Sequence, residues 1–216
     1  MSSSRLYRAL TAGHPSWPVI VAASTSLAGV SNAAEPPQAT CATAEQRAVV
    51  QQRFKTPERG VVDKLREELG LSEAAVIGAL PSERAVGVPG SEFHAVWESL
   101  RAWPDAVVVA RIGGHVLEIH GPIHGGEPSK VSKYFNLSAD GPGLTGHLRP
   151  DLIGSIFATT LPGRSGDEHG VIFYDLDGRP VFGVHVPAEH AAADDATVRA
   201  FQQTKSRIAA MPRACP

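Results

Sequence analysis

An excess of charge of either sign is the first thing this chain lacks. Lys and Arg number 20 against 22 Asp and Glu, and charged residues make up only 19% of the chain. Without a basic excess it has no electrostatic reason to seek nucleic acid or an anionic membrane. Cysteine is nearly absent, with Cys41 and Cys215 near opposite ends. A zinc site needs Cys or His clustered at short spacing, which these two do not supply. The expectation is two free thiols, able to pair only in an oxidising compartment and only if the ends meet. A Gly-x-Ser-x-Gly elbow, a phosphate-binding glycine loop and an HExxH helix are missing too, so a hydrolase is poorly supported. No apolar run is suited to a permanent membrane anchor. "WPVIVAASTSLAGV" is too short and too polar to span a bilayer.

That stretch still carries information. Arg5 and Arg8 precede it, and "SNAAE" offers small residues where a signal peptidase would cut. Pro15 and Pro18 at its start, and its Ser and Thr content, fit a disordered extension equally well. "QATC" lacks the aliphatic residue that a lipoprotein signal carries three before the cysteine. Residues 1–42 are therefore set apart as signal peptide or disordered extension, and residues 43–216 are read as the folded domain.

What the chain does have is enough apolar residue, 43% of 216, for a core, and 21 Gly with 17 Pro for many turns. Thr43 and Gln46 form a capping-box pattern for a helix to about Phe54. "VVDKLREEL" is a second helix ended by Gly70, and Ser72 caps a third, "EAAVIGAL". After the loop "SERAVGVPG", Ser91 is placed to cap "EFHAVWESLRAW", whose Phe93, Val96, Trp97 and Leu100 keep a helical period. The period then shortens to that of strands. "AVVVARI", "HVLEIHG", "KYFNLSA", "LTGHLR", "LIGSIFATTL", "GVIFYDL" and "RPVFGVHV" are β-rich runs between turn residues. Asp177-Gly178 marks a hairpin tip. A last helix, from about Asp194 to Ala209, carries Val198, Phe201 and Ile208 on one stripe. The fold class is α+β: N-terminal helices, a large and mostly antiparallel sheet of about seven strands, and a C-terminal helix.

Three local signals bear on function. "VVDKLREELGLSEAAVIGAL" has the outline of a helix-turn-helix, but its second helix holds no basic residue for base edges, so it reads as two packed helices. "HVLEIHGPIHGG" carries His115, His120 and His124. Strand alternation points His115 and His120 to opposite faces, and nothing fixes a metal geometry, so these read as exposed loop histidines. In "LTGHLR", Leu144, Gly146 and Leu148 face one way and Thr145, His147 and Arg149 the other. An imidazole and a guanidinium on one face suit haem, which needs a nitrogen for iron and a cation for its propionates. Gly143 and Gly146 would let a flat ring approach the backbone. Spacing alone does not decide this against a polar surface histidine.

The runs "ALPSERAVGVPGSEFHAVWESLRAWPDAVVV", "VLEIHG", "YFNLSADGPGLTGHLR" and "GVIFYDLDGRPVFGVHV" resemble the HutX/ChuX family of bacterial haem-utilisation carriers, over about residues 47 to 210. The resemblance implies a homodimeric cytosolic carrier, not an enzyme. It would take imported haem as cargo and hand it to a haem-degrading partner. It also implies that the histidine after Tyr-Phe-Asn-Leu, here His147, holds iron. Arg149, Lys133 and Tyr134 become candidate contacts to the propionates and the ring edge. Where members often carry histidines just before that run, this chain has Lys130, Val131, Ser132 and Lys133. Where some carry one in the preceding strand, it has Arg111. His115, His120 and His124 are then the remaining candidates for a second ligand. Two alternatives stand beside the carrier. One is a haem-degrading enzyme of the related two-repeat type; the other is a periplasmic metal-binding protein, for which the N-terminal segment would be a working signal peptide.

Overall fold

The structure, a computed structural model, describes residues 41–215 apart from 113, 140 and 193. The reading of residues 1–42 as leader or extension falls almost wholly outside them. Three short helices open the domain. α1 (Ala44–Arg53) starts with the expected capping box. The Thr43 hydroxyl accepts from the Gln46 N–H, and the Gln46 side chain accepts from the Thr43 N–H, which satisfies two otherwise orphaned donors. α2 (Val61–Leu69) ends on Gly70 at φ +62, a left-handed conformation that glycine adopts without a Cβ clash. Ser72 Oγ caps α3 (Glu73–Gly78) by accepting from the Ala75 N–H. Val50, Phe54, Leu65 and Ile77 from these helices join Phe157, Ile172 and Tyr174 in one buried cluster.

The segment expected as a loop contains a strand, β1 (Ala85–Pro89). Gly87 in it faces the Phe157 ring, where an added Cβ would lie 2.1 Å from Cδ1. Ser91 does not cap the next helix. A 3-10 turn, Gly90–Glu92, leads into α4 (Phe93–Leu100), which has no side-chain cap. Gly90 presses on the backbone so closely that a Cβ would sit 1.8 Å from the Ile153 carbonyl oxygen. That contact sets the chain's entry into α4.

The remaining strands are β2 (Val107–Ile112), β3 (His115–His120), β4 (Gly126–Pro128), β5 (Phe135–Leu137), β6 (Gly146–Leu148), β7 (Ile153–Pro162), β8 (Asp167–Asp175) and β9 (Pro180–His185). Each of the seven expected runs holds a strand, but there are two sheets among the described residues. One has six strands in the order β1-β7-β8-β9-β2-β3, the other three in the order β4-β5-β6, and every pairing is antiparallel. At the β8–β9 tip, Asp175 Oδ1 accepts from the N–H groups of Asp177 and Arg179, and Gly178 takes φ +75.

Alternation along β8 sends Val171 and Phe173 to one face and Ile172 and Tyr174 to the other. The first face lies in a core with Trp97 of α4 and Phe201 of α5 (Ala196–Ala209), and β5 adds Phe135 and Leu137. The second face is covered by α1–α3. Asp195 caps α5 by accepting from the Thr197 N–H at 2.7 Å, and Val198, Phe201 and Ile208 are buried as their stripe requires.

The cysteines are not free. Cys41 and Cys215 form a disulfide across a sequence separation of 174. The ends meet because α1 joins the helical cluster through Val50 while the tail after α5 runs beside β1, where the Ala214 N–H donates to the Gly87 carbonyl at 3.0 Å.

One titratable group inside the fold has a consequence for stability. The His185 ring lies against Gly170 and Gly183, where added Cβ atoms would come within 2.5 and 2.3 Å of it. Desolvation, and then the charge of Arg111, push its imidazole from the ordinary 6.5 to about 4. In that window the unfolded chain takes up a proton that the folded chain refuses. The stability present above pH 6.5 is therefore lost as pH falls towards 4. His169, lowered by burial, acts in the same sense; His190, raised by its hydrogen bond to Asp195, acts in the opposite one. Urea midpoints are expected to fall between pH 6.5 and 4, with a shallower slope for His185→Gln.

Candidate functional site

The small sheet is built by two inward-facing pairs. Phe135 and Leu137 are buried, and Leu144 and Leu148 pack against the same cluster. With period-2 alternation, Asn136 and His147 must then face out, and they stand directly opposite each other in the β5–β6 register. The strand reading of "LTGHLR" holds over Gly146–Leu148 only: Leu148 packs on the core and His147 is out and exposed, while Arg149 lies past the strand's end, at the start of the 3-10 turn Pro150–Leu152. The two aromatics of Tyr-Phe-Asn-Leu divide the same way. Phe135 packs the core, and Tyr134 is 43% exposed.

Around His147 the structure gathers a small set of groups. Its Nδ1 lies 2.8 Å from Asn136 Oδ1. The Tyr134 ring is 5.8 Å away, centroid to centroid, and the Arg149 guanidinium sits 5.6 Å from the Tyr134 centroid, a cation–π distance. Arg149 does not wait as an unengaged cation. It donates from Nε and Nη2 to the two carboxylate oxygens of Asp151 at 2.7 and 2.8 Å, and Lys133 Nζ approaches the same carboxylate at 3.5 Å. The Arg149 hydrogen bond chiefly holds the Asp151 carboxyl down to about 2, so it stays ionised across the working range. Two cations share one carboxylate, leaving the cluster net positive beside the exposed imidazole.

The glycines play unequal parts. Gly143 is needed by the chain itself: a Cβ there would lie 2.8 Å from the Pro122 carbonyl oxygen. At Gly146, next to His147 in the chain, an added Cβ would meet nothing within 4 Å. An exposed imidazole, an aromatic ring and a net positive cluster thus lie near one another.

The other histidines are not brought to His147. His115 and His120 occupy the two ends of β3, and His120 Nε2 lies 3.8 Å from Glu118 Oε2, the same-face pairing expected of a strand. His124 Nε2 is engaged with the Pro142 carbonyl at 2.8 Å, closing the loop between β3 and β6. Among the described residues no hydrogen bond or ring contact joins any of the three to His147. No group of three or more His, Cys, Asp or Glu suited to a metal ion occurs among them either. Sequence reasoning missed Asn136 and Asp151 as parts of the site.

The architecture defines a class first. One α+β unit of this kind superposes on half of a larger protein, the Escherichia coli heme oxygenase ChuS, with a TM-score of 0.58 and 16% identity. The match covers 76% of this chain and 48% of that one. The heme binding protein ChuX matches along nearly its whole length, with a TM-score of 0.64 and 21% identity, covering 74% of this chain and 98% of that one. Both likenesses concern the fold. The chain belongs to the haem utilisation ChuX/HutX family, whose model matches residues 86–204. It is 26% identical over 122 residues to the intracellular heme transport protein HutX of Vibrio cholerae serotype O1, covering 56% of this chain and 62% of that relative. The chain thus matches less than two thirds of that relative's length.

Proposed function

We propose that this protein is a haem-binding carrier. It takes up haem through His147, with Arg149 and Lys133 near the propionates and Tyr134 at the ring edge, and hands it to a haem-receiving or haem-degrading protein. The observation that carries the reading is an outward-facing imidazole with one ring nitrogen engaged by its neighbour, beside a net positive cluster. Iron needs a neutral nitrogen lone pair and the propionates need cations, and both are on this surface. The name of the Vibrio relative, a heme transport protein, supports a carrier. The fold shared with a heme oxygenase is the ground for the rival enzyme reading. Titration with hemin followed by a reductant separates the two. A stable Soret band after reduction supports the carrier, and conversion to biliverdin-like products with iron release overturns it.

The homodimer implied by the family resemblance has a candidate surface. β3 is the outer strand of the six-stranded sheet, and Ile112, Val116 and Leu117 on the β2–β3 hairpin are 62%, 53% and 50% exposed. An unpaired edge with apolar neighbours is a template for pairing with another chain. Light scattering is expected to give a dimer mass for the wild type and a monomer mass for Leu117→Lys. A monomeric wild type removes the interface.

This chain's own cysteines bear on the compartment. The Vibrio relative is intracellular by name, but that describes another protein, 26% identical over 122 residues. The Cys41–Cys215 disulfide describes this one. Disulfides persist in oxidising compartments and are rare in reducing cytosol. The disulfide therefore favours export, with the signal-peptide outline before Ala34 as the leader. Mass spectrometry of the purified protein should find an N-terminus near Ala33 or Ala34 and no alkylatable thiol. An intact Met1 with two alkylatable thiols would place the domain in the cytosol.

A further inference from the structure

We propose that Asn136 is a positioning residue for haem capture: it fixes the His147 ring so that Nε2 alone is offered to iron. The inference rests on the reading of His147 as the iron ligand and gives the neighbour that engages its ring a role of its own.

The geometry starts in the register. β5 and β6 are three residues each, and Asn136 is paired with His147 across the ladder. Cross-strand partners stand close enough for side chains to touch. Here the Asn136 amide oxygen faces His147 Nδ1 at 2.8 Å. An amide oxygen can only accept, so the proton of a neutral imidazole in this contact sits on Nδ1. The lone pair then sits on Nε2, and among the described residues Nε2 makes no hydrogen bond. A histidine in the other tautomer would carry a hydrogen on Nε2 and could not bind iron through it. One hydrogen bond thus selects both the tautomer and the ring angle.

The choice of residue points the same way. Asparagine is depleted in strands, and this one stands between the buried Phe135 and Leu137 on the outward side. A strand needing only polarity there is better served by threonine. Asparagine supplies a carbonyl at the reach of an opposing imidazole. Metal-bound histidines usually donate their second N–H to such an oxygen, and losing that partner costs about 10–100-fold in metal affinity.

The test compares the full chain with Asn136→Ala, Asn136→Asp and His147→Ala. Each is titrated with hemin, and the ferrous complex is read by resonance Raman for its iron–histidine stretch. Asn136→Ala should weaken hemin binding by about 10–100-fold and lower the stretching frequency. Asn136→Asp should recover the affinity and raise the frequency above the wild-type value, because a carboxylate pulls harder on the Nδ1 proton. A merely structural asparagine would not move the frequency in opposite directions in the two variants. If Asn136→Ala binds like wild type with an unchanged spectrum while His147→Ala loses binding, Asn136 has no positioning role and the ligand assignment stands. The positioning role is equally lost if Asn136→Asp neither recovers affinity nor raises the frequency. If His147→Ala also binds like wild type, the ligand assignment falls and the positioning role goes with it.

Discussion

His147→Ala is expected to cause the largest loss of haem binding of any single substitution in the chain. Its effect should exceed the roughly 10–100-fold that a change in a ligand's supporting residue brings, because here the ligand itself goes. The imidazole stands exposed on a three-residue strand whose neighbours Gly146 and Leu148 contribute no nitrogen or sulfur donor. His115, His120 and His124 are tied to β3 and its loop, and none of them contacts His147. The expected spectrum is that of hemin adsorbed weakly to a net positive surface, with a blue-shifted and broadened Soret band. What remains should depend strongly on salt, since exposed charges are screened at about 10 Å in 0.1 M salt. The fold should be untouched: His147 is exposed and its strand is anchored by Leu148 and Leu144. A Soret band at the wild-type position with unchanged affinity would take His147 out of the role.

How much of the molecule is legible in its sequence differs between elements for physical reasons. Direction on a strand is a local property, so the outward turn of His147 and the inward turn of Leu148 follow from alternation alone. Caps are local too, and Thr43, Ser72 and Asp195 all act where the pattern puts them. Ser91 fails because a contact from outside its segment, the Ile153 carbonyl against Gly90, sets the entry to α4. β1 and β4 are hidden because Gly and Pro sit inside them. Their strand character comes from pairing with β7 and β5 rather than from composition. The division into two sheets is invisible for the same reason. Asn136 lies eleven residues from its partner, and only the β5–β6 register brings the two together. Asp151, two residues beyond Arg149, is close enough to find, but its pairing depends on the short 3-10 turn Pro150–Leu152 that the runs of apolar residues do not announce. The disulfide is the most distant relation of all, and the expectation of free thiols fails on it.

That disulfide carries the second large expected effect, this one on stability. Cross-linking residues 174 apart removes closure entropy from the unfolded chain. A chain-entropy treatment puts the benefit near about 5 kcal/mol for loops of this size, against a typical range of about 2–4. For a domain of this length each kcal/mol moves the melting temperature by about 2–4 °C, so Cys41→Ser/Cys215→Ser is expected to melt roughly 5–15 °C below the wild type. Reductant should lower the wild type by a similar amount and leave the double variant unchanged. The loosened parts are those the bond ties together: α1, which rests on the helical cluster through Val50, and the tail whose Ala214 donates to Gly87 at the outer edge of β1. His147 belongs to a different part of the molecule, on a small sheet packed into the Trp97–Phe173 core. Below its lowered melting point, the double variant should therefore bind hemin as tightly as the wild type. A loss of haem affinity in step with the loss of stability would mean that the two halves of the core are coupled. An unchanged melting temperature would mean that the ends are held together without the bond.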